Sequence, residues 1–436
     1  MRFGIWMLVL AVAMAAGCRK SDFEVDEGPL VLTDYGQGTG TVTWKKGNHY
    51  LLKGLVFVND GQVLTIEPGT VVRFSPGQGE NASALVVARG GKIIARGTAA
   101  EPIIFTAEND DLNGSVAKAE RGLWGGLVIL GNAPLNIRGG EASVEGIPLT
   151  EPRAIFGGPN ENDNSGVLEY VSIRHGGTNI GEGNEINGLT LGGVGRGTEI
   201  DYVEIISNED DGVEVFGGTV NLRHLVVSGC GDDAFDYDLG WSGNGQFWLC
   251  VQSNYLGEHI VEAGGGVNPV NGLPFSLPQI FNATFIGNGA TGTGYCVSFK
   301  DNAGGVIANS LFVNNLNGIS LEATDLLHDS YYQWKTGNLA VANNLFFQVA
   351  GSTAASIFEM AGIYSETERS EWADSFPAAG NTIADPHVDW AAGKYLPAEK
   401  IKGNLRSFPS TWFQQVDFKG AFGDSNWMEG WTLLSQ

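Results

Sequence analysis

Short apolar runs separated by glycine and polar turns recur along most of this chain, and no stretch sustains a 3.6-residue apolar period. One set comprises LVFV (55–58), LTI (64–66), TVVRF (70–74), ALVVA (84–88), KIIA (92–95), PIIFT (102–106) and GLVIL (126–130). A second set shares a shape: LEYVSI (168–173), IDYVEI (200–205), LRHLVV (222–227), FNATFI (281–286), IANSLFV (307–313) and VANNLFF (341–347). Runs of this length and β-branched content, bounded by turn residues, predict strands. Asn recurs at one place in the last three runs, as Asn282, Asn309 and Asn343 or Asn344. There it can form a side-chain ladder or take the left-handed conformation of a tight turn. One short helix is expected within 323–334, and 111–122 is expected to be a loop.

Two acidic segments nearly repeat: SNEDDGVEVFGG (207–218) and GCGDDAFDYDLGW (229–241). A slide of 22 residues sets Asp210 on Asp232, Asp211 on Asp233, Val213 on Phe235, Glu214 on Asp236 and Val215 on Tyr237. Upstream, Val203 falls on Leu225 and Ile205 on Val227. Such a period is one coil of a solenoid. The fold class expected is therefore all-β: a single parallel β-helix over residues 40–349. Coils stack about 4.8 Å apart. With Val213 and Val215 facing the core, Glu214 and Asp236 turn outward side by side. Residues 350–436, with Pro377, Pro386, Pro397 and Pro409, change character and are expected to form terminal coils and a C-terminal cap.

The chain opens MRFGIWMLVLAVAMAAGC, whose apolar run from Ile5 to Ala16 is too short to span a bilayer and has the form of a signal peptide, residues 1–17. AAGC (15–18) resembles a bacterial lipobox, with Ala15 where Leu is usual, which makes Cys18 the lipidation site and 18–39 an acidic tether. The 49 acidic and 25 basic residues give a net charge of −24, and loss of Arg2 with the signal leaves −25. That excess argues against nucleic acid and against simple docking on anionic lipid, and it favours cations. Cys230, Cys250 and Cys296 cannot all pair and are expected as buried thiols.

Several segments are similar to bacterial right-handed parallel β-helix surface lipoproteins of the Bacteroidetes type: 50–72, 95–107, RGLWGGLVILGNAP (121–134), 210–247 and FKGAFGDSNWMEGWTLL (418–434). The resemblance implies a pectin-lyase-like fold and an outer-membrane, lipid-anchored, surface-exposed protein. It implies no agreed activity.

Three readings attach to the acidic repeat. Asp at a coil corner can cap turn N–H groups. Asp210, Asp211, Glu214, Asp232, Asp233 and Asp236 can supply carboxylate oxygens to Ca²⁺, with Asp238 close by. Asp232 and Asp233 can act as a catalytic pair on a glycosidic bond, their GDD turn being similar to that of polygalacturonases of this fold. The Asn-Thr-Asp and Gly-His-Gly tripeptides of that family are absent here. Tyr237, Trp241, Gln246 and Trp248, with Phe247, are expected to form a sugar-contacting face. Arg223 is a lyase-base candidate, but Asp201 one coil below favours an ion pair. The six His show no zinc-ligand spacing. The function expected is non-catalytic binding of polysaccharide or another surface ligand. The alternatives are a polysaccharide lyase or glycoside hydrolase using Asp210, Asp211, Asp232 and Asp233, and an accessory lipoprotein of an outer-membrane uptake complex.

The N-terminal motif is directly testable: Cys18→Ala is expected to release the protein from the membrane fraction or to leave its signal uncleaved. Unchanged processing and detergent partitioning would count against lipidation.

Overall fold

The computed structural model describes residues 28–181, 184–253, 256–266, 268–323 and 327–436. Cys18 lies outside the described residues. Strands stack in parallel into a long sheet running from Leu30–Leu32 to Thr382–Ile383, and a short sheet running from Leu55–Val58 to Phe358–Gly362. The register follows the 22-residue offset: Val203 pairs with Leu225, Ile205 with Val227, Val213 with Phe235 and Glu214 with Asp236. The chain is a right-handed parallel β-helix. No described helix is long and apolar enough to cross a membrane.

Alternation builds the core. On the short sheet Leu127, Leu189, Val213, Phe235, Val261, Val297, Ile319 and Phe358 lie in one inward column, each on the one before. All are buried. A coil alone leaves such a side chain open on two sides, and stacking it contributes about 1.5–3 kcal/mol when burial is complete. Cys230, Cys250 and Cys296 are buried free thiols.

A second column runs along one corner. Tyr170, Tyr202, His224, Phe247, Asn282, Asn309 and Asn343 occupy equivalent places in successive coils, all at left-handed φ between 47° and 61°. The rings stack at 4.4, 4.2 and 4.9 Å between centroids. Where rings give way to Asn, the residue is one that tolerates this conformation. Asn344 serves the ladder instead: its Oδ1 accepts the Ser310 N–H at 2.8 Å, while Asn381 Oδ1 accepts the Asn344 N–H at 3.0 Å.

The N-terminal end differs from expectation. The solenoid does not wait for residue 40, because Leu30–Leu32 already pairs with Tyr50–Leu52. Asp34 pins this coil by accepting the N–H groups of Gly36, Gly38 and Phe57, and by a 2.7 Å ion pair with Arg153. At the other end, helix Glu366–Ala378 does cap the last coil, with Trp372 stacked on Phe358 at 4.2 Å and Phe376 against Phe346 at 5.3 Å.

Beyond Tyr395, however, the chain turns back along the flank as a strap. Arg406 N donates to Asn309 Oδ1, Gln414 N to Gln246 Oε1, and Asn282 Nδ2 to Phe418 O. Trp427 meets His224 and Trp431 meets Tyr170, edge to face. The Leu433 and Leu434 N–H groups both end on the buried Glu204 carboxylate at 2.9 Å. The cause is an outward column that is apolar. Val226, Leu249, Leu311 and Leu345 face away from the solenoid interior and are covered by Tyr395, Phe422 and Met428.

Trp431→Ala removes a wholly buried indole and is expected to cost about 3–5 kcal/mol in denaturant titration. Proteolysis should then cut the strap at temperatures where the coils still resist.

Candidate functional site

The acidic repeat sits at the corner that leads into the short sheet. Asn187, Asp211, Asp233 and His259 stand each two residues before a strand, one per coil, in register. Asp211 Oδ1 accepts the Asp233 N–H at 2.8 Å, and Asp233 Oδ1 accepts the His259 N–H at 2.5 Å. His259 Nδ1 in turn accepts the Tyr295 N–H at 3.0 Å, which leaves its proton on Nε2. Each side chain thus caps the coil stacked on it, as the turn-capping reading of the repeat anticipates.

Outward of this corner, Glu214, Asp236 and Glu262 occupy one column on consecutive coils, continued by Ser298, Ser320 and Glu359. Lys300 reaches back one coil to Glu262 Oε2 at 2.5 Å. At the other end Asn187 Nδ2 donates to Glu214 and, at 3.1 Å, to Glu145. Three overlapping sets each place their ligand atoms within 4.8 Å of one another: Asp210, Asp211 and Asp232; Asp211, Glu214 and Asp236; Asp233, Asp236 and Glu262. Two oxygens inside the group are buried without a partner, Asp236 Oδ1 and Asn187 Oδ1, and Asn187 is only 1% exposed.

Burial and mutual repulsion move these groups together. Burial, then the charges of Asp233 and Asp236, push Asp211 well above the carboxylate range. Burial, then Asp236 and Glu145, do the same to Glu214. Burial, then Glu262, raise both Asp233 and Asp236. Asp232 rises by burial and Glu258, and Asp238 is pushed up to about 6, chiefly by burial. Burial draws His259 down toward the neutral form. For Lys300 burial opposes the charge, but the Glu262 hydrogen bond and the surrounding acids outweigh it and hold the ammonium protonated. The arrangement can share protons between carboxyl groups, or it can gather oxygens around a hard cation.

All six acids singled out in the sequence come together. Asp210 and Asp232 stand on the outer rim; Asp211, Glu214, Asp233 and Asp236 lie deeper. The sugar-contacting face does not form. Tyr237, Trp241, Gln246 and Trp248 are at most 2% exposed, and Phe247 is buried as well. Tyr237 shares the inward parity of Val215, and Trp248 stacks on Leu225 inside the solenoid. Their polar atoms are spent on backbone: Tyr237 Oη donates to Gly304 O, Trp241 Nε1 to Val220 O and Trp248 Nε1 to Leu222 O, while Gln246 holds Gln414 of the strap. Nor does Arg223 pair with Asp201, although the two are in register. Asp201 Oδ1 is bonded to His224 Nδ1 at 2.7 Å, and Arg223 lies over the Trp412 ring at 4.4 Å.

Glu262, His259, Lys300 and Glu145 were not singled out, whereas Asn187 lies in the polar loop 179–188, whose composition allows Ca²⁺ binding. HIVEA (259–263) is the next copy of DAFDY (233–237), displaced by 26 residues because the intervening loop is longer. A search allowing the period to drift would place His259 on Asp233 and Glu262 on Asp236. Glu145 comes from an insertion outside the repeat and carries no such signal.

A family model described as a pectate-lyase-like beta-helix domain matches residues 36–395, and the chain belongs to that family. No curated protein and no solved structure matches the chain.

The raised acids fix the sign of a pH dependence. They bind protons more tightly folded than unfolded, so their contribution to stability is complete below pH about 4 and is lost as pH rises through their raised values. For Asp238 that window closes near 6, and Asp236 is shifted in the same direction. In calcium-free buffer Asp236→Asn is expected to melt about 2–4 °C above the parent at pH 8 and level with it at pH 4. A parent that is the more stable at pH 8 would contradict the assignment.

Proposed function

We propose that the protein is a cell-envelope lipoprotein that binds a divalent cation, Ca²⁺ by its oxygen chemistry, on the outward carboxylate column and uses the site to hold a polysaccharide. The observation that carries this is the stacking of Glu214, Asp236 and Glu262 on consecutive coils with Asp236 Oδ1 buried and unpartnered. Calcium takes six to eight oxygens and leaves positions open for ligand hydroxyls or carboxylates. Asp211, Glu214 and Asp236 would hold it from one side, with the Asn187 carbonyl oxygen available if the amide turns over. The envelope assignment is supported by the signal-like opening and the Cys18 motif.

Non-catalytic binding is preferred over β-elimination because Lys300, the basic group at the column, is not free to abstract a proton. Glu262 holds it protonated. A second reading, glycoside hydrolysis, rests on a specific contrast. Asp236 is biased toward its protonated form, while Glu262 beside it is salt-bridged to Lys300. One carboxyl can then donate a proton while the other serves as base or nucleophile.

Calcium titration of the mature chain is expected to raise the melting temperature by about 2–5 °C, and Asp236→Asn and Glu262→Gln to abolish the gain. A glycan array scored for both binding and cleavage should show calcium-dependent binding without turnover. Turnover lost in Asp236→Asn would replace the binding reading with hydrolysis. A flat response to calcium and to chelator would leave the acidic repeat with turn capping at Asp211 and Asp233 alone.

A further inference from the structure

We propose that a cavity on the opposite flank, beside Arg223, is a second binding site, for the oxyanion group of a small acidic ligand: a carboxylate, sulfate or phosphate. The cavity measures about 300 Å³ and opens where the strap crosses the long sheet at Trp412. Its walls carry four charged side chains, and three of them have side-chain partners of their own. Asp201 is bonded to His224 at 2.7 Å, Glu199 to Arg96 at 2.6 Å, and Arg196 to Glu161 at 2.7 Å.

Arg223 is the exception. Among the described residues no carboxylate pairs with it, and its hydrogen bonding consists of one donation, from Nη2 to the Trp412 carbonyl. Its Nε is buried without a partner. A guanidinium has five N–H donors in a rigid planar fork, and buried donors left unused are costly. The Trp412 ring, 4.4 Å from the guanidinium carbon, fixes that plane against the cavity wall. A planar cation held by stacking, with free donors and no carboxylate bonded to it, suits an oxyanion, which accepts two parallel hydrogen bonds from such a fork. Asn221, two residues away on the same strand and wall, can donate to a neighbouring hydroxyl.

The site is built jointly by coil and strap, so it exists only when the strap is docked. The chain's charge of −24 opposes unspecific attraction of anions, which makes a saturable anion site diagnostic of this arrangement.

The test is calorimetric titration of the full chain, at fixed ionic strength, with glucuronate, sulfate and phosphate, and with glucose as the neutral control. Saturable binding of glucuronate, absent with glucose, is expected. Arg223→Gln should weaken it about tenfold or more, and Arg223→Lys, which keeps the charge but loses the fork, should fall between. In calcium-free buffer with chelator, where the carboxylate column holds no cation, Asp236→Asn should bind as the parent does, which separates this site from the column. If sulfate and phosphate bind through Arg223 while glucuronate does not, the ligand is a tetrahedral anion and the site stands. No saturable binding of any of the three, or equal binding by a folded Arg223→Lys and the parent, would overturn the proposal.

Discussion

Parallel stacking places like on like. Each residue of a coil meets its counterpart in the next about 4.8 Å away, with no antiparallel offset to bring in a different chemical type. Everything distinctive here follows from that constraint. Valine on phenylalanine on valine makes a core column. Tyrosine on tyrosine on histidine makes a ring stack. Asparagine on asparagine makes a hydrogen-bond ladder, because an amide both donates and accepts. Carboxylates are the type for which the rule is unfavourable: an ionised carboxylate only accepts, and two of them about 5 Å apart repel by roughly 3 kcal/mol at an effective dielectric near 20.

The fold answers that repulsion in two ways at two depths. At the corner, Asp211 and Asp233 each take a backbone N–H from the coil above, so the charge has a donor that no side chain need supply. On the outward face there is no such donor. Glu214 leans on the Asn187 amide, Glu262 on Lys300, and Asp236 between them has one oxygen with nothing. Protonation relieves the middle of the column without a ligand; a bound cation would relieve it at neutral pH. A structural turn needs only the corner, which is why the outward column, and not the Asp pairs first visible in the repeat, carries the functional reading.

What could be read from the sequence divides along the same line. The offset between the acidic segments translated directly into the register of Val213 on Phe235 and Glu214 on Asp236, because both coils have equal length. It missed Glu262 because the next coil is longer, and length drift hides a period without disturbing the pairing. The Asn positions were legible because Asn takes the left-handed conformation more readily than most residues, whereas the Tyr, His and Phe positions of the same corner carry no such mark. Trp241, Gln246 and Trp248 misled because proximity in sequence to the acids says nothing of facing: the chain turns a corner between Tyr237 and Gln246 and enters the other sheet. The strap was beyond sequence reasoning of this kind, since its partners lie up to 230 residues away.

That strap also decides which surfaces remain for ligands. A β-helix offers its outward columns as candidate grooves, and on the long sheet those from Val226 to Leu345 are apolar and already covered by the chain's own C-terminal segment. Glu204, buried at the foot of this surface, accepts the last two strap N–H groups, so a carboxylate on this flank has become a structural anchor. The outward columns left open are polar: the acidic one on the short sheet and the charged one that runs from Arg96 through Glu169 to Arg223. The second ends where Trp412 closes over it. Covering the apolar flank from within the same chain thus does more than stabilise the coils. It covers an apolar surface on which other chains could associate, and leaves exposed the two faces where the charges are incompletely matched.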